Sequence, residues 1–235
     1  DVDHFNLREF PIDTITGEPD LNKQVILLNS FDLIVLAKPR QRFSELDIWL
    51  IDQYLMNNGK GIFMLDAVYA DMDSLSYSPE FLAYPILDRI NLSDPLFNYG
   101  VRINTSLIQD MVCATLNDRK SIIPWLYFPL ILPQTNHPIG KNLNAIKLEF
   151  ATAMDSIRSP GVRKIPLLFT SPYSRRQSMP GRVSLATLYN EPDQSKFIDK
   201  SLITAILLEG ALPSFYANRI LQNTDFKNPP KKASD

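Results

Sequence analysis

The sequence predicts an α/β protein built on a mixed sheet, with α/β organisation at the front and a strand-rich C-terminal half. Two short apolar runs, at 32–38 and 61–66, flank an amphipathic stretch, and this order is typical of a strand–helix–strand unit. Beyond residue 100 most regular patterns are strand patterns. The 235 residues, of which 45% are hydrophobic and 21% charged, are enough to bury one substantial core or two small ones.

Three strands are predicted in the first third of the chain. "FNLREFPID" at 5–13 alternates apolar and polar residues until Pro11 ends it. "DLIVLAK" at 32–38 is a continuous apolar run, which predicts a strand covered on both faces. "GIFMLD" at 61–66 is predicted to be a second buried strand. Because one helix joins the two buried strands, we expect them to be parallel and the connection to be right-handed.

The helix between these two strands has a signal at each end. Ser44 is predicted to be its N-cap, and Asp47, three residues later, gives the spacing of a capping box. The helix is expected to run to about Asn57, with Gly59 as the left-handed residue that ends it. Its wide apolar stripe predicts close packing against a sheet.

The remaining chain is predicted to be less regular. A short helix is expected at 93–99, capped by Ser93 and stopped by Gly100. "WLYFPLILP" at 125–133 holds two prolines, which favour an edge or irregular segment over a central strand. The polar tail at 223–235 is expected to be flexible. Further extended segments are predicted at 101–113, 145–151, 164–171, 182–189 and 202–210.

Composition excludes several classes of protein. A formal net charge of -2 means that the chain has no overall positive electrostatic potential with which to bind nucleic acid. No apolar run approaches the roughly 20 residues that a membrane-spanning helix needs, and the N-terminal residues lack the basic head and apolar stretch of a signal peptide. We therefore expect either a cytosolic protein or a piece of a longer one. Cys113 is the single cysteine, which excludes an internal disulfide.

The signatures of common enzymes are missing from the sequence. No serine has the G-x-S-x-G setting of a nucleophile elbow, there is no P-loop, and no close set of residues has the spacing of a zinc site. Cys113 has no glycine neighbours, and His137 lies in a loop, so both are interpreted as structural. A group of carboxylates after the second buried strand could hold Mg²⁺, but capping the next helix is the favoured role; these are Asp66, Asp71 and Asp73.

One feature favours binding. Basic residues cluster in the loop after the first buried strand and in the loop after "LLFTS", with Arg182 at the far end of the second loop. If both strands are parallel in one sheet, both loops leave its carboxyl edge, where open α/β sheets bind ligands. The simpler interpretation is that surface loops are charged. The predicted ligand- or partner-binding residues are Lys38, Arg40, Arg42, Asp66, Ser171, Arg175 and Arg176.

Several blocks follow one another in a set order between Phe31 and Arg219. They are "FDLIVLAKPRQRFSELDIWLIDQYLMNNGKGIFMLDAV", "DPLFNYGVRIN", "WLYFPL", "NHPIGKNLNAIKLEFATAMDSI", "PLLFTSPYSR" and "LLEGALPSFYANR". In order and spacing the series resembles the extracytoplasmic auxiliary domain of the gliding-motility ABC transporter, its G component. The resemblance implies a flavodoxin-like sheet, similar to class I glutamine amidotransferases, with helices on both faces and no catalytic cysteine.

The resemblance also implies a setting. Residues 1–222 would form a single extracytoplasmic domain on the periplasmic face of the inner membrane, and membrane anchors would lie outside this fragment. The expected partners are a permease subunit and an ATPase subunit, and a glycan or another anionic ligand is a further expectation. The resemblance implies no enzymatic activity, no cofactor and no metal.

Two other functions remain open from the residues alone. One is a cryptic amidotransferase-like or hydrolase-like enzyme with Cys113 or His137 in its active site, which requires a nucleophile and a base within hydrogen-bonding distance. The other is a structural spacer that holds transporter subunits at a set distance. A basic cluster at the sheet edge would favour the binding function over the spacer.

Overall fold

Strands outnumber helices in the computed structural model, which describes residues 21–117, 121–131, 133, 135–219 and 232–234. The helices among them are α1 (Leu21–Leu28), α2 (Glu45–Met56), α3 (Met72–Tyr77) and α4 (Ser93–Tyr99). The strands are β1 (Leu33–Ala37), β2 (Lys60–Met64), β3 (Val68–Tyr69), β4 (Glu80–Pro85), β5 (Val101–Asp110), β6 (Cys113–Asn117), β7 (Ile122–Ile131), β8 (Ile146–Lys147), β9 (Thr152–Ser156), β10 (Val162–Phe169), β11 (Ser174–Ser178), β12 (Gly181–Ser184) and β13 (Ile203–Gly210).

The predicted strand–helix–strand unit is present at the front of the molecule. β1 and β2 pair in parallel, in a register that runs from Leu33 opposite Lys60 to Ala37 opposite Met64. α2 connects them and begins with the predicted capping box, in which the Ser44 hydroxyl accepts from the Asp47 amide at 3.1 Å. The predicted burial of both faces is wrong, because alternate residues of β1 and every residue of β2 except Phe63 are exposed.

Gly59 is needed for space and not for a left-handed turn. The left-handed residue after α2 is Asn58, with φ 65°, so the predicted position was wrong by one residue. A Cβ at Gly59 would lie 2.3 Å from the ring of Tyr54. That ring is buried, and its hydroxyl donates to the carbonyl of Phe31 and accepts from the amide of Lys60. The ring is therefore held in place at its hydroxyl by two hydrogen bonds.

We expect Gly59→Ala to lower the free energy of unfolding by about 2 kcal/mol, because the new methyl group displaces the Tyr54 ring and breaks its two hydrogen bonds. Urea unfolding followed by circular dichroism measures the loss. Gly140→Ala is the control: its Cβ would also lie 2.3 Å from a side chain, but from the terminal methyl of Thr135, which rotation about χ1 can move away, so a smaller loss is expected. A Gly59→Ala variant as stable as the parent would show that the ring position is not fixed.

The other strands form antiparallel sheets. A five-stranded sheet has the order β10-β13-β9-β5-β11, and two three-stranded sheets have the orders β12-β4-β3 and β6-β7-β8. Each of their pairings is antiparallel. Parallel pairing needs a long crossover, usually a helix. No α-helix follows residue 100 among the described residues, so these strands return by turns and pair antiparallel.

The predicted fold class is therefore wrong beyond the first unit. The described residues form a strand-rich structure and not a flavodoxin-like or glutamine amidotransferase-like sheet with helices on both faces. α3 and α4 have only six and seven residues and precede antiparallel strands. The predicted stop of α4 is correct, since Gly100 is left-handed with φ 105°.

The proline-bearing segment is the strand β7, and its pairing with β6 has a register shift between the two prolines, in partial agreement with the predicted irregular segment. β7 is the middle strand of its sheet, with Pro124 opposite Thr115 and Pro129 opposite Cys113 in β6. Its other neighbour, β8, pairs only with Leu130 and Ile131, beyond both prolines. The prolines therefore lie where the strand has a partner on one side only, which is the condition of an edge strand.

Three groups of buried side chains make up the core. The first packs α2 onto the inner face of β1 and β2, together with α1 and residues 215–216. The second is centred on Trp125 and joins β7 to the sheets formed by β12-β4-β3 and by β5 and its neighbours. The third lies between residues 87–103 and the five-stranded sheet. Only the first group is therefore centred on a helix, and the second is built mainly from strand residues.

Two predictions concern the ends of the chain. The strand at 5–13 lies outside the described residues. Of the tail at 223–235, residues 232–234 are described, and Ala233 there forms a β-bridge with Pro213. The serine Ser234 beside it is buried and accepts a hydrogen bond from the amide of Leu212. The division at residue 222 stays a prediction.

Candidate docking site

One face of the β1–β2 pair is apolar, and no described part of the chain covers it. Its side chains belong to every second residue of each strand, and four of them are between 44% and 51% exposed. Val35 and Ile62 lie opposite each other at the centre of the register. We call this surface the open face, and it consists of Leu33, Val35, Ile62 and Met64.

The opposite face of the same pair is covered by α2. Ile34, Leu36 and Phe63 point to that side and pack against the buried side chains of the helix. Parallel strands are normally covered on both faces, so this pair has half of the usual cover. The open face is therefore a feature that needs an explanation.

A lysine lies at each end of the open face. Lys60 is exposed and pairs with Leu33 at the first position of the register. Lys38 follows the last position, and its amide continues the ladder by donating to the carbonyl of Met64 at 2.8 Å. Lys60 thus ends the apolar strip within the register, and Lys38 lies just beyond its other end, where a positive φ of 46° interrupts the alternation of the strand.

The first predicted basic loop lies beside the Lys38 end. Arg40 forms an ion pair with Asp66 at 3.1 Å, and its guanidinium lies 5.3 Å from the ring centre of Tyr69. Lys38 is 3.8 Å from the same carboxylate, with its side chain 66% exposed. Arg42 is exposed nearby in sequence. The structure therefore brings Lys38, Arg40 and Asp66 together, because β1 and β2 end side by side.

The second predicted group lies in another sheet. Arg175 and Arg176 belong to β11, an edge strand of the five-stranded sheet, and not to a loop at the carboxyl edge of β1. Arg182 belongs to β12 and forms an ion pair with Glu80 at 3.0 Å. The expectation that parallel neighbouring strands deliver both groups to one rim is wrong, since β1 and β10 are in different sheets. A binding role for these residues stays a prediction.

The residues of this second group already have partners within the chain. Arg176 forms an ion pair with Asp199 at 3.0 Å, which lowers the pKa of that carboxyl. Arg175 donates to the side chain of Gln109, and its guanidinium stacks on the ring of Phe197. The shallow groove of about 300 Å³ beside Arg176 is therefore lined by a cation that an entering anion would have to share.

Ser171 completes the set of predicted site residues and has a structural partner. Its amide and its hydroxyl both donate to the carboxylate of Asp110, the last residue of β5. The same carboxylate accepts from the amide of Val112 at 2.9 Å. Ser171 thus helps to fix the turn between β10 and β11 to the end of β5.

A buried carboxylate ties α2 to the C-terminal part of the described chain. Asp52 is fully buried, and its oxygens accept from the Tyr99 hydroxyl at 2.7 Å, the Ser214 hydroxyl at 2.6 Å and the Phe215 amide at 2.8 Å. The side chain of Gln53 adds a longer contact at 3.2 Å. Burial raises the pKa of Asp52, and the hydrogen bonds offset part of this effect. The network holds α2 against the side of the sheet opposite to the open face.

A family model described as an ABC-type uncharacterized transport system matches residues 2–235. The chain belongs to this family. Membership makes it an auxiliary component of an ABC-type transport system. The resemblance found in the sequence is thus confirmed at the level of the family.

Two further comparisons add little to family membership. A search of curated proteins gave no match. A solved structure described as "mmIFT52 N-terminal domain" is similar over 66% of this chain and 60% of that one, with 16% identity and a TM-score of 0.44. This chain therefore spans about three fifths of the length of that structure. A similarity of this size supports no argument about function.

The candidate catalytic and metal-binding groups of this ABC-type auxiliary chain have surroundings that favour a structural role. Burial and the nearby carboxylate of Asp110 raise the pKa of Cys113 to about 11, which disfavours the thiolate that a nucleophile needs. The Nδ1 atom of His137 accepts from the amide of Ile139 within its own turn. Asp71 caps α3 by accepting from the amide of Asp73 at 3.0 Å, as predicted.

Two searches of the described residues gave negative results. Within 21–117, 121–131, 133, 135–219 and 232–234 no group of three or more His, Cys, Asp or Glu side chains is arranged to hold a metal ion. In the same residues no helix is both long enough and apolar enough to cross a membrane.

Sequence reasoning missed the open face of this transporter component. "LIVLA" at 33–37 and "GIFM" at 61–64 are runs without a polar side chain, so neither strand shows a polar face and the pattern predicts full burial. The pattern cannot tell whether the cover comes from the same chain. A useful signal would have been the two lysines that bound the strip, at positions 38 and 60.

Proposed function

We propose that this chain is a non-enzymatic domain on the periplasmic face of the inner membrane, within an ABC transporter linked to gliding motility or export. In this proposal it binds the permease subunit through the open face, in an assembly that also contains the ATPase subunit. Membrane anchors outside these 235 residues hold the full-length protein in place. The proposal rests on family membership for its setting and on the open face for its mode of action.

The open face is the single observation that favours a protein partner. Completing the burial of four half-exposed apolar side chains is worth roughly 1 kcal/mol each, before the cost of association. A contiguous apolar patch of this kind is typical of an interaction site. A glycan or an anion would instead need free polar groups, whereas Arg40 and Arg176 are paired with Asp66 and Asp199.

The test uses the full-length protein, tagged and purified from membranes. The double variant Val35→Asp/Ile62→Asp places two carboxylates at the centre of the open face. We expect it to reduce the recovery of the permease and ATPase subunits at least tenfold, since charges at the centre of an apolar interface must be desolvated. Mass spectrometry of the purified material measures the recovery.

The control for this test is the double variant Leu82→Asp/Ile122→Asp. Both residues are exposed apolar side chains in strands of other sheets, so these carboxylates stay in water and recovery should not change. Circular dichroism checks that all variants fold. Equal recovery with the open-face variant would refute docking through this surface and favour the spacer function.

A further inference from the structure

We propose that the partner of the open face is an amphipathic α-helix of about three turns, with an apolar stripe and an acidic residue near each end. This inference rests on the proposed function for the existence of a protein partner. It goes further because it states the shape and the charge of the segment that binds. The inference is argued from the dimensions and register of the open face and from the lysine at each of its ends.

The geometry of the strand pair favours a helix as the occupant. Helices are the usual cover of parallel strands, and α2 already covers the other face with 12 residues. Two paired strands are about 4.8 Å apart, so a single helix about 10 Å wide covers both. The partner helix would thus complete a helix–sheet–helix sandwich of which this chain supplies two layers.

The length of the helix follows from the register. Lys60 is opposite Leu33, and Lys38 lies five residues further along β1. Five strand residues span about 16 Å, a distance that an α-helix covers in about 11 residues. A helix laid along the strip therefore needs its two acidic residues about 11 positions apart, with apolar residues at helical spacing between them.

The charges at the two ends are available to a partner. The side chain of Lys38 is 66% exposed and lies 3.8 Å from Asp66, whose closer partner is Arg40 at 3.1 Å. Lys60 is exposed at the other end. Asp32 precedes β1 near Lys60, but it lies close to Tyr54, on the side that α2 covers. Both ends of the open face are therefore positive, and each fits one carboxylate.

The experiment places a photo-cross-linking amino acid at Val35 in the full-length protein within its membrane complex. A second preparation carries it at Leu82 as a control for unspecific capture. The expected product joins Val35 to a segment of a transporter subunit that has apolar residues at helical spacing and acidic residues about 11 positions apart. Mass spectrometry of the cross-linked peptides identifies the segment.

Charge exchange tests the two lysines. We expect Lys38→Glu/Lys60→Glu to reduce recovery of the cross-linked subunit about tenfold, and exchange of the two acidic residues of the partner helix for lysine to restore it. Lys141→Glu/Lys200→Glu, at exposed lysines elsewhere, should leave recovery unchanged. Restoration by the exchanged pair is a result that a general loss of folding cannot produce.

The outcomes separate this inference from the function on which it rests. A cross-link to a transporter subunit through a segment without the acidic spacing would overturn the helix and leave docking in place. Insensitivity of recovery to the lysine reversals would do the same. A cross-link to this same chain or to a second copy of it would overturn docking of the permease on the open face as well. Loss of every transporter subunit from all preparations, the unsubstituted protein included, would overturn the proposed function itself.

Discussion

Replacing Asp52 with alanine is expected to lower the free energy of unfolding by about 4 kcal/mol. The substitution leaves the hydroxyls of Tyr99 and Ser214 and the amide of Phe215 buried without an acceptor, and each such donor costs roughly 1–3 kcal/mol. It also removes the link between α2 and residues 214–215. Urea unfolding followed by circular dichroism measures the change.

Glu149→Ala is the matched control for this experiment. That carboxylate is exposed and forms an ion pair with Lys147 at 2.7 Å, and such surface pairs contribute about 0–1 kcal/mol. The control should therefore stay within about 1 kcal/mol of the parent. A loss of similar size in both variants would show that the buried network has no special role in stability.

The raised pKa of Asp52 gives this residue its own pH dependence. Because burial raises the pKa in the folded state above the unfolded value, near 3.8, the favourable protonated state is fully present below that unfolded value. Its contribution is lost as the pH rises through the folded-state pKa. Asp52→Asn has no such loss, so its stability relative to the parent should increase between pH 4 and pH 7. A constant difference over this range would contradict a raised pKa.

Replacing Trp125 with alanine is expected to cost about 4 kcal/mol, since buried tryptophan-to-alanine changes commonly cost 3–5 kcal/mol. Trp125 is fully buried and makes edge contacts with three rings, those of Tyr127, Phe128 and Phe150. Its indole nitrogen donates to the hydroxyl of Thr187 at 3.0 Å, so the variant also removes this hydrogen bond, although the hydroxyl still donates to the carbonyl of Ser184. Chemical denaturation measures the loss.

Trp125→Phe separates packing from hydrogen bonding at the same position. It keeps a ring among the three aromatic neighbours but removes the donor to Thr187, so a loss of about half that of the alanine variant is expected. Equal losses in the two variants would mean that the hydrogen bond, and not the packing of the ring, stabilises this part of the core.

The features that the sequence predicted correctly are local. The capping box at Ser44 and Asp47, the parallel strands on either side of α2 and the left-handed Gly100 all depend on residues within one short segment. Each signal acts through hydrogen bonds or sterics between near neighbours in the chain. Tertiary structure had little opportunity to override them.

The wrong predictions concern pairing between distant segments. Strand patterns identified β10 and β13 but could not show that they pair antiparallel with each other and not parallel to β1. Hydrophobic periodicity reports the faces of a strand and not its neighbour. For the same reason Arg175 and Arg176 were expected in a loop after β10, with β10 parallel to β1 in one sheet, and are found in an edge strand of another sheet.

The candidate site was predictable only in part. The proximity of Lys38, Arg40 and Asp66 followed from two parallel strands that end together. Asp52 gave no signal, because a polar residue in an apolar helix is interpreted as facing solvent, and its partners lie at 99 and 214–215. The open face was hidden for a different reason, since a strand that needs cover has the same sequence whether its own chain or a partner provides it.

The bond between Asp52 and Ser214 joins residues 162 positions apart. During synthesis, α2 leaves the ribosome long before Ser214 is made, so the carboxylate of Asp52 stays hydrated until residues 214–215 arrive. Contacts of such long range slow folding because a long loop must close before they form. The surroundings of Asp52 therefore reach their final form only after Ser214 has been made, although α2 itself is made much earlier.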